Sequence, residues 1–255
     1  MTFSKRRMHH LLGADGRMVA VAMDHSRSGV ARGLERPQEL VRQVVEGGVD
    51  AILATIGLAG IVADELGGRG LILALDSEGP IADYGVDMAL RYGADAVELK
   101  VFPGSPTESR LADLRRLGAR CREWGMPLLG ESIPVSFQET SAHTVEKVGD
   151  AARIAVEAGA DLVKVHYVGP VADYRSRVVE PCGVPLVVLG GAARGEPREA
   201  LQMAADALEA GASGVVFGRN VLTSPRPDRM VSALVELVHG GATVAGAAKE
   251  LLVPV

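Results

Sequence analysis

Lys164 lies within the aliphatic run "ADLVKVHYVG" (160–169), where a primary amine has little prospect of water. Burying an unpaired ammonium is costly, so the residue needs a partner or a task. One reading is a structural ion pair with Glu131 or Asp24. The other is covalent chemistry. An ordinary lysine, with a pKa near 10.4, is neutral in fewer than about one molecule in a thousand at pH 7. Burial beside a second cation, for which Lys100 is the candidate, lowers the pKa and raises that fraction. The free amine then captures a carbonyl as a Schiff base, and the iminium draws electrons from a neighbouring C–C bond.

The other chemistry-bearing residues recur at the ends of similar runs. "RMVAVAMDH" (17–25) ends in Asp24 and His25, and "GLILALDSEG" (70–79) in Asp76, Ser77 and Glu78. "ADAVELKVFPG" (94–104) carries Glu98 and Lys100, "GMPLLGESIP" (125–134) carries Glu131, and His166 follows two residues after Lys164. "VPLVVLGGA" (184–192) ends in Gly190 and Gly191, and "ASGVVFGRN" (212–220) in Gly218 and Arg219. Glycines let backbone N–H groups approach an oxyanion, and Arg219 adds a charged fork. After the seventh and eighth of eight strands, such turns read as a phosphate site. Arg27 and Arg32, in the loop after His25, are candidates to grip a second anion or are solvated loop charges.

With "VDAILATIG" (49–57) these runs number eight, each nearly continuous in Val, Leu, Ile and Ala, as parallel strands covered on both faces require. Amphipathic segments alternate with them. "RPQELVRQVVEGG" sets Leu40, Val41, Val44 and Val45 on one helical face, and "HTVEKVGDAARIAVEAG" and "EPREALQMAADALEAG" end in helix-stopping glycine. The pattern predicts a single (β/α)8 barrel domain over 1–255, with a doubly wound sheet as the alternative. A short helix at about 4–12 is expected to close the barrel bottom, and "SALVELVHGGATVAGAAKELL" gives one or two final helices. Period-two alternation puts Lys164 and His166 on one face, and Glu98 and Lys100 on one face. Pointing inward, Lys164 meets Asp24 and Glu131; pointing outward, it meets only the helix layer.

Composition limits the alternatives. The 255 residues are 47% hydrophobic and carry a net charge of −5, with no run of five like charges, which argues against nucleic acid. No apolar run reaches the roughly 18 residues of a membrane span, and "MTFSKRRMHHLLG" has no apolar signal core. A soluble cytoplasmic protein is expected. Cys121 and Cys182 show no disulfide or metal-ligand spacing. A metal-dependent lyase or isomerase using Asp24, His25, Asp76 and Glu131 lacks an H-x-H or H-E-x-x-H pattern. A non-catalytic phosphosugar-binding barrel stays open as a third class.

"GADGRMVAVAMDHS", "GADAVELKVFPGS", "ADLVKVHYVG", "VPLVVLGGA", "GASGVVFGRNV" and the tail "ALVELVHGGATVAGAAKEL" occur in the order found in a known family. The chain resembles the DhnA-type class I fructose-bisphosphate aldolases, within the deoxyribose-phosphate aldolase-like group, over nearly its whole length. The resemblance implies a (β/α)8 fold, metal-free Schiff-base chemistry, a phosphorylated carbonyl substrate and a homo-oligomer. It implies Lys164 as the imine-forming lysine, Asp24 as the residue that positions hydroxyls or moves protons, and Gly190, Gly191, Gly218 and Arg219 as the phosphate cradle. His25 and His166 are candidates to contact substrate. The expected activity makes or breaks a C–C bond in a phosphorylated ketose, with a dihydroxyacetone-phosphate-like donor. A lysine-dependent synthase, transaldolase or acyl transferase of the same family is the alternative. One position departs from the pattern: in "LLGESIPVSF", Ile133 stands where the family places a proton-donating tyrosine. Glu131, two residues earlier on the same face, is the candidate acid/base in its place.

Overall fold

A computed structural model describes residues 6–25, 32–75, 81–107, 109–191 and 196–252. Eight strands form a closed, all-parallel barrel in chain order: β1 Met18–Ala22, β2 Ala51–Thr55, β3 Gly70–Ala74, β4 Ala96–Val101, β5 Leu128–Ser132, β6 Leu162–His166, β7 Leu186–Leu189 and β8 Gly214–Phe217. Closure excludes the doubly wound sheet.

Alternation along each strand divides the core in two. Val19 and Val21, Val97 and Leu99, Val163 and Val165 point to the helices, whereas Met18, Ala20, Ala96, Leu129 and Leu162 fill the barrel. Both sets are buried, which is why the strands read as unbroken aliphatic runs. The helix Pro37–Glu46 covers the outside with Leu40, Val41 and Val44, its Pro at the first turn where no N–H is missed. The expected final helices are Pro227–Val238, a short turn Val244–Ala247 and a 3-10 turn Glu250–Leu252.

The barrel closes where β1 meets β8, with Met18 opposite Gly214. Gly214 has φ +131°, and a Cβ there would lie 2.0 Å from the Met18 carbonyl oxygen, so only glycine lets the last strand reach the first.

The base of the barrel is tied by a recurring device. Asp50, Asp95 and Asp161 each precede an even-numbered strand and accept the backbone N–H of Val19 (2.7 Å), Leu71 (3.0 Å) and Leu128 (2.9 Å) on the preceding odd one. The 3-10 turn Arg6–His10 sits at this end: His10 Nδ1 lies 2.7 Å from Asp95, and Leu11 inserts into the interior cluster. His239, beyond the Pro227–Val238 helix, reaches Asp15 at 2.8 Å and Asp50 at 2.9 Å.

Partial burial pushes the His239 imidazole down, but its bonds to Asp15 and Asp50 outweigh burial and hold it above the usual value. A raised folded-state pKa gives stability that is full below the unfolded value and is lost as pH rises through the folded one. His239→Gln is therefore expected to cost ~1–2 kcal/mol at pH 6. Denaturant melts should show that deficit shrinking by pH 9.

Candidate active site

The centre of the site is a cross-strand register. Lys100 on β4 pairs with Glu131 on β5, and Glu131 with Lys164 on β6. Neighbours in register on one face of a sheet stand about 5 Å apart, so charges alternate plus, minus, plus around the inner wall. Asp24, two residues beyond β1, and Glu98, two before Lys100, complete a five-group cluster at the C-terminal end of the strands.

Lys164 points inward and is 3% exposed, with Nζ 3.0 Å from Glu131 Oε2. That oxygen is buried and outside aligned hydrogen-bond geometry, so the contact is one of charge. Lys100 Nζ forms a short ion pair with Asp24 and lies 3.6 Å from Glu131 and 3.7 Å from Glu98. Asp24, Glu98 and Glu131 are the group among the described residues whose carboxylates approach closely enough to hold a cation. The Lys100 ammonium already sits among all three, so this donor set is satisfied by an organic cation.

These contacts correct one expectation. Burial does push the Lys164 amine toward its neutral form, and Lys100 adds to that. Glu131, Asp24 and Glu98 outweigh both, and Lys164 is held above its ordinary value. Three carboxylates converge here against one neighbouring cation, so in the resting site Lys164 is an ammonium. Burial likewise pushes Glu131 and Asp24 up, but Lys164 and Lys100 reverse it and hold both carboxyls below the usual range.

The cluster forms the floor of a cavity of about 670 Å³. Asp24, His25, Lys100, Glu131, Lys164, Gly190, Gly191, Gly218 and Arg219 all line it, so these expected site residues meet in one space. Arg27 lies outside the described residues, as do Asp76, Ser77 and Glu78, whereas Arg32 does line the cavity. His166 is not in the cavity wall. Its ring stacks on His143 at 4.2 Å and meets Phe137 edge-on at 5.9 Å, and Phe137 in turn lines the cavity. Burial, with His143 beside it, brings His166 down to about 4, so it packs as a neutral ring behind the β5 loop.

On the opposite rim, Gly218 admits the His25 ring: a Cβ there would lie 2.3 Å from its Cε1. Burial pushes His25 down against the pull of Asp24, with Lys164 and Arg219 adding to the shift, so the imidazole facing the cavity is neutral. Asn220 donates to the Gly190 carbonyl at 3.0 Å and fixes the turn after β7 to the turn after β8. Ile133 is fully buried with Phe102 and Leu189, which makes the departing position part of an apolar patch. The sequence marks Glu98 as chemistry-bearing without giving it a role, and does not single out Phe102 or Phe137. Glu98 carries a signal in its spacing, two before Lys100 on one strand face; Phe102 and Phe137 are placed by loop geometry.

A parallel barrel with paired lysines and carboxylates at its C-terminal mouth defines a class of lysine-centred barrel enzyme. The chain belongs to the DeoC/LacD aldolase family, whose model matches residues 18–224. It is 34% identical over 252 residues to 2-amino-3,7-dideoxy-D-threo-hept-6-ulosonate synthase 1 of Archaeoglobus fulgidus, covering 94% of this chain and 92% of that one. Among solved structures it is similar to an archaeal fructose 1,6-bisphosphate aldolase, with a TM-score of 0.81, 28% identity, and 93% and 99% of the two chains covered. It is also similar to an archaeal fructose-1,6-bisphosphate aldolase whose catalytic lysine is covalently bound to the carbinolamine intermediate of its substrate. There the TM-score is 0.78, the identity 25%, and the coverage 92% and 98%.

Lys100→Met removes the cation that three carboxylates share, and is expected to cost ~3–5 kcal/mol at pH 7, the range for breaking a buried pair. Asp24 and Glu131 have depressed pKa values, so the stability they contribute is present above the unfolded carboxylate pKa and lost as pH falls through the folded one. The deficit of the variant should therefore narrow as pH falls below about 4, the unfolded carboxylate pKa. Urea midpoints at about pH 7 and about pH 3 test this, and a deficit independent of pH refutes it.

Proposed function

We propose that this aldolase forms an imine between Lys164 and the keto carbon of a phosphorylated ketose, and makes or breaks the C–C bond between the α and β carbons of that ketone. The observation that carries the reading is the position of Lys164 Nζ: on the cavity floor, 3.0 Å from a carboxylate and sharing the cavity with Gly190, Gly191, Gly218 and Arg219. Those glycine turns and Arg219 hold the phosphate, with His25 as a neutral hydrogen-bonding neighbour.

The raised proton affinity of Lys164 sets the first step. The ammonium must give a proton to Glu131 before it can attack. The free amine adds to the carbonyl carbon, and the carbonyl π electrons move to oxygen, which takes a proton from the new N–H. Glu131 then returns its proton to the carbinolamine hydroxyl, water leaves, and the nitrogen lone pair forms the iminium. Glu131 thus does the acid/base work that Ile133 cannot. Asp24, fixed by Lys100, takes the proton from the β-hydroxyl as the C–C bond breaks, and the iminium receives the electron pair.

The 34% identity to the archaeal synthase favours one second reading of the same site. That enzyme's product is named as a seven-carbon 6-ketone with hydroxyls left at C4 and C5. An aldol disconnection between those carbons gives a three-carbon methyl ketone and a four-carbon amino-acid aldehyde. In this reading Lys164 carries the three-carbon unit from one partner to the other.

Borohydride reduction with candidate donors separates the readings by adduct mass on Lys164: a dihydroxyacetone-phosphate unit for the first, a hydroxyacetone unit for the second. Lys164→Met is expected to abolish both adduct and turnover. Glu131→Gln should lower kcat by ~10²–10⁴-fold. Turnover near wild type in Glu131→Gln, with Lys164→Met inactive, removes Glu131 from the mechanism.

A further inference from the structure

Two arginines open on the cavity with no carboxylate partner among the described residues: Arg219, after β8, and Arg32, in the loop between β1 and the helix Pro37–Glu46. The acids around them are engaged elsewhere. Asp24 pairs with Lys100, Glu35 accepts the Gly33 N–H at 2.8 Å, and Glu39 pairs with Arg36 at 3.4 Å. A solvated loop charge needs no fixed backbone, yet the backbone at Arg32 is fixed by the next residue. Gly33 has φ +92°, and a Cβ there would lie 1.9 Å from the Leu222 carbonyl oxygen, so main chain meets main chain and only glycine fits. Leu34 follows it into the core. Leu222 in turn ends the single helical turn Arg219–Leu222. The two arginines therefore leave main chains that touch, about one turn apart, and their side chains reach one cavity.

We propose that Arg32 is the second arm of the phosphate site: together with Arg219 it clamps the same phosphate that the turns at Gly190, Gly191 and Gly218 receive. This rests on the phosphate reading of those turns and not on the imine at Lys164. A phosphate monoester carries about −1.5 to −2 charges at pH 7, so Arg219 alone leaves about half of it uncompensated. A second guanidinium completes the balance and adds a further planar set of donors. Arg32 thus grips the phosphate on the carbonyl donor, and not a second anion at the far end of the substrate. The ligand class this selects is a dianionic phosphate ester; a singly charged carboxylate or sulfonate matches one arm only.

Calorimetric titration with inorganic phosphate at about pH 8, where it is a dianion, tests this without any turnover. Wild type is expected to show one site, weakened ~10–100-fold by Arg32→Gln and by Arg219→Gln alike. Arg32→Lys should recover part of the loss, since an ammonium cannot make the paired bonds. Arg36→Gln, which removes an exposed charge close by in the chain, should stay within ~2-fold of wild type and controls for net charge. In turnover, Arg32→Gln should raise KM for the phosphorylated donor by the same factor, with kcat within ~3-fold and no effect on an unphosphorylated analogue. Phosphate affinity unchanged in Arg32→Gln but lowered in Arg219→Gln overturns the clamp and leaves the glycine cradle standing. A second phosphate in wild type, lost in Arg32→Gln while the first is kept, assigns Arg32 to a separate anion and overturns it too. Affinity indifferent to both variants, or no phosphate binding in wild type, defeats the phosphate reading along with the clamp. Failure of borohydride trapping on Lys164 would instead defeat the imine reading and leave the titration result in place.

Discussion

The alternation of Lys100, Glu131 and Lys164 across three neighbouring strands is the constraint on which the site depends. Side chains in register on the inner face of a closed sheet have nowhere else to go. A charge there is tolerable only beside its opposite, and each of the three needs the others. Asp24 and Glu98 arrive from β1 and β4 to finish the balance, and the small Ala22 and Val216 beside them leave room for a ligand. The barrel supplies rigid positions, and the charges supply the reason that those positions are polar inside an otherwise aliphatic interior.

This arrangement turns a stability problem into chemistry. A lysine with no carboxylate nearby would be neutral when buried and would need no base. Lys164 is instead held charged by three carboxylates, which secures the fold at rest and puts the proton acceptor within 3.0 Å of the amine. In the proposed mechanism, reactivity comes from a short proton transfer from Lys164 to Glu131 within the cluster.

Much of this is legible in the sequence. Eight aliphatic runs at even spacing give the barrel, because strands buried on both faces must be apolar throughout. The inward direction of Lys164 follows from alternation and from the absence of a partner outside. The sign of its proton affinity does not follow, since that depends on how many carboxylates converge from β1, β4 and β5, a count that needs the closed geometry. Glu98 looks like one more charge in "VELK" until the register sets it beside Ala74 and Leu129. His166 shares the strand face of Lys164, yet the loop bearing Phe137 and His143 comes between it and the cavity, and loop paths are not written in strand periodicity. Arg27 was singled out as a possible anion grip and lies outside the described residues, whereas its neighbour in the loop, Arg32, does reach the cavity.

Asp50, Asp95 and Asp161 fasten alternate strand pairs at the end opposite the lysines. None of the three lines the cavity. Substrate preference can therefore drift through replacement of rim residues such as Phe102 or Gln138 while the fastenings of the foot go untouched. A lineage with this foot is free to explore new acceptors without first finding a new way to stay shut.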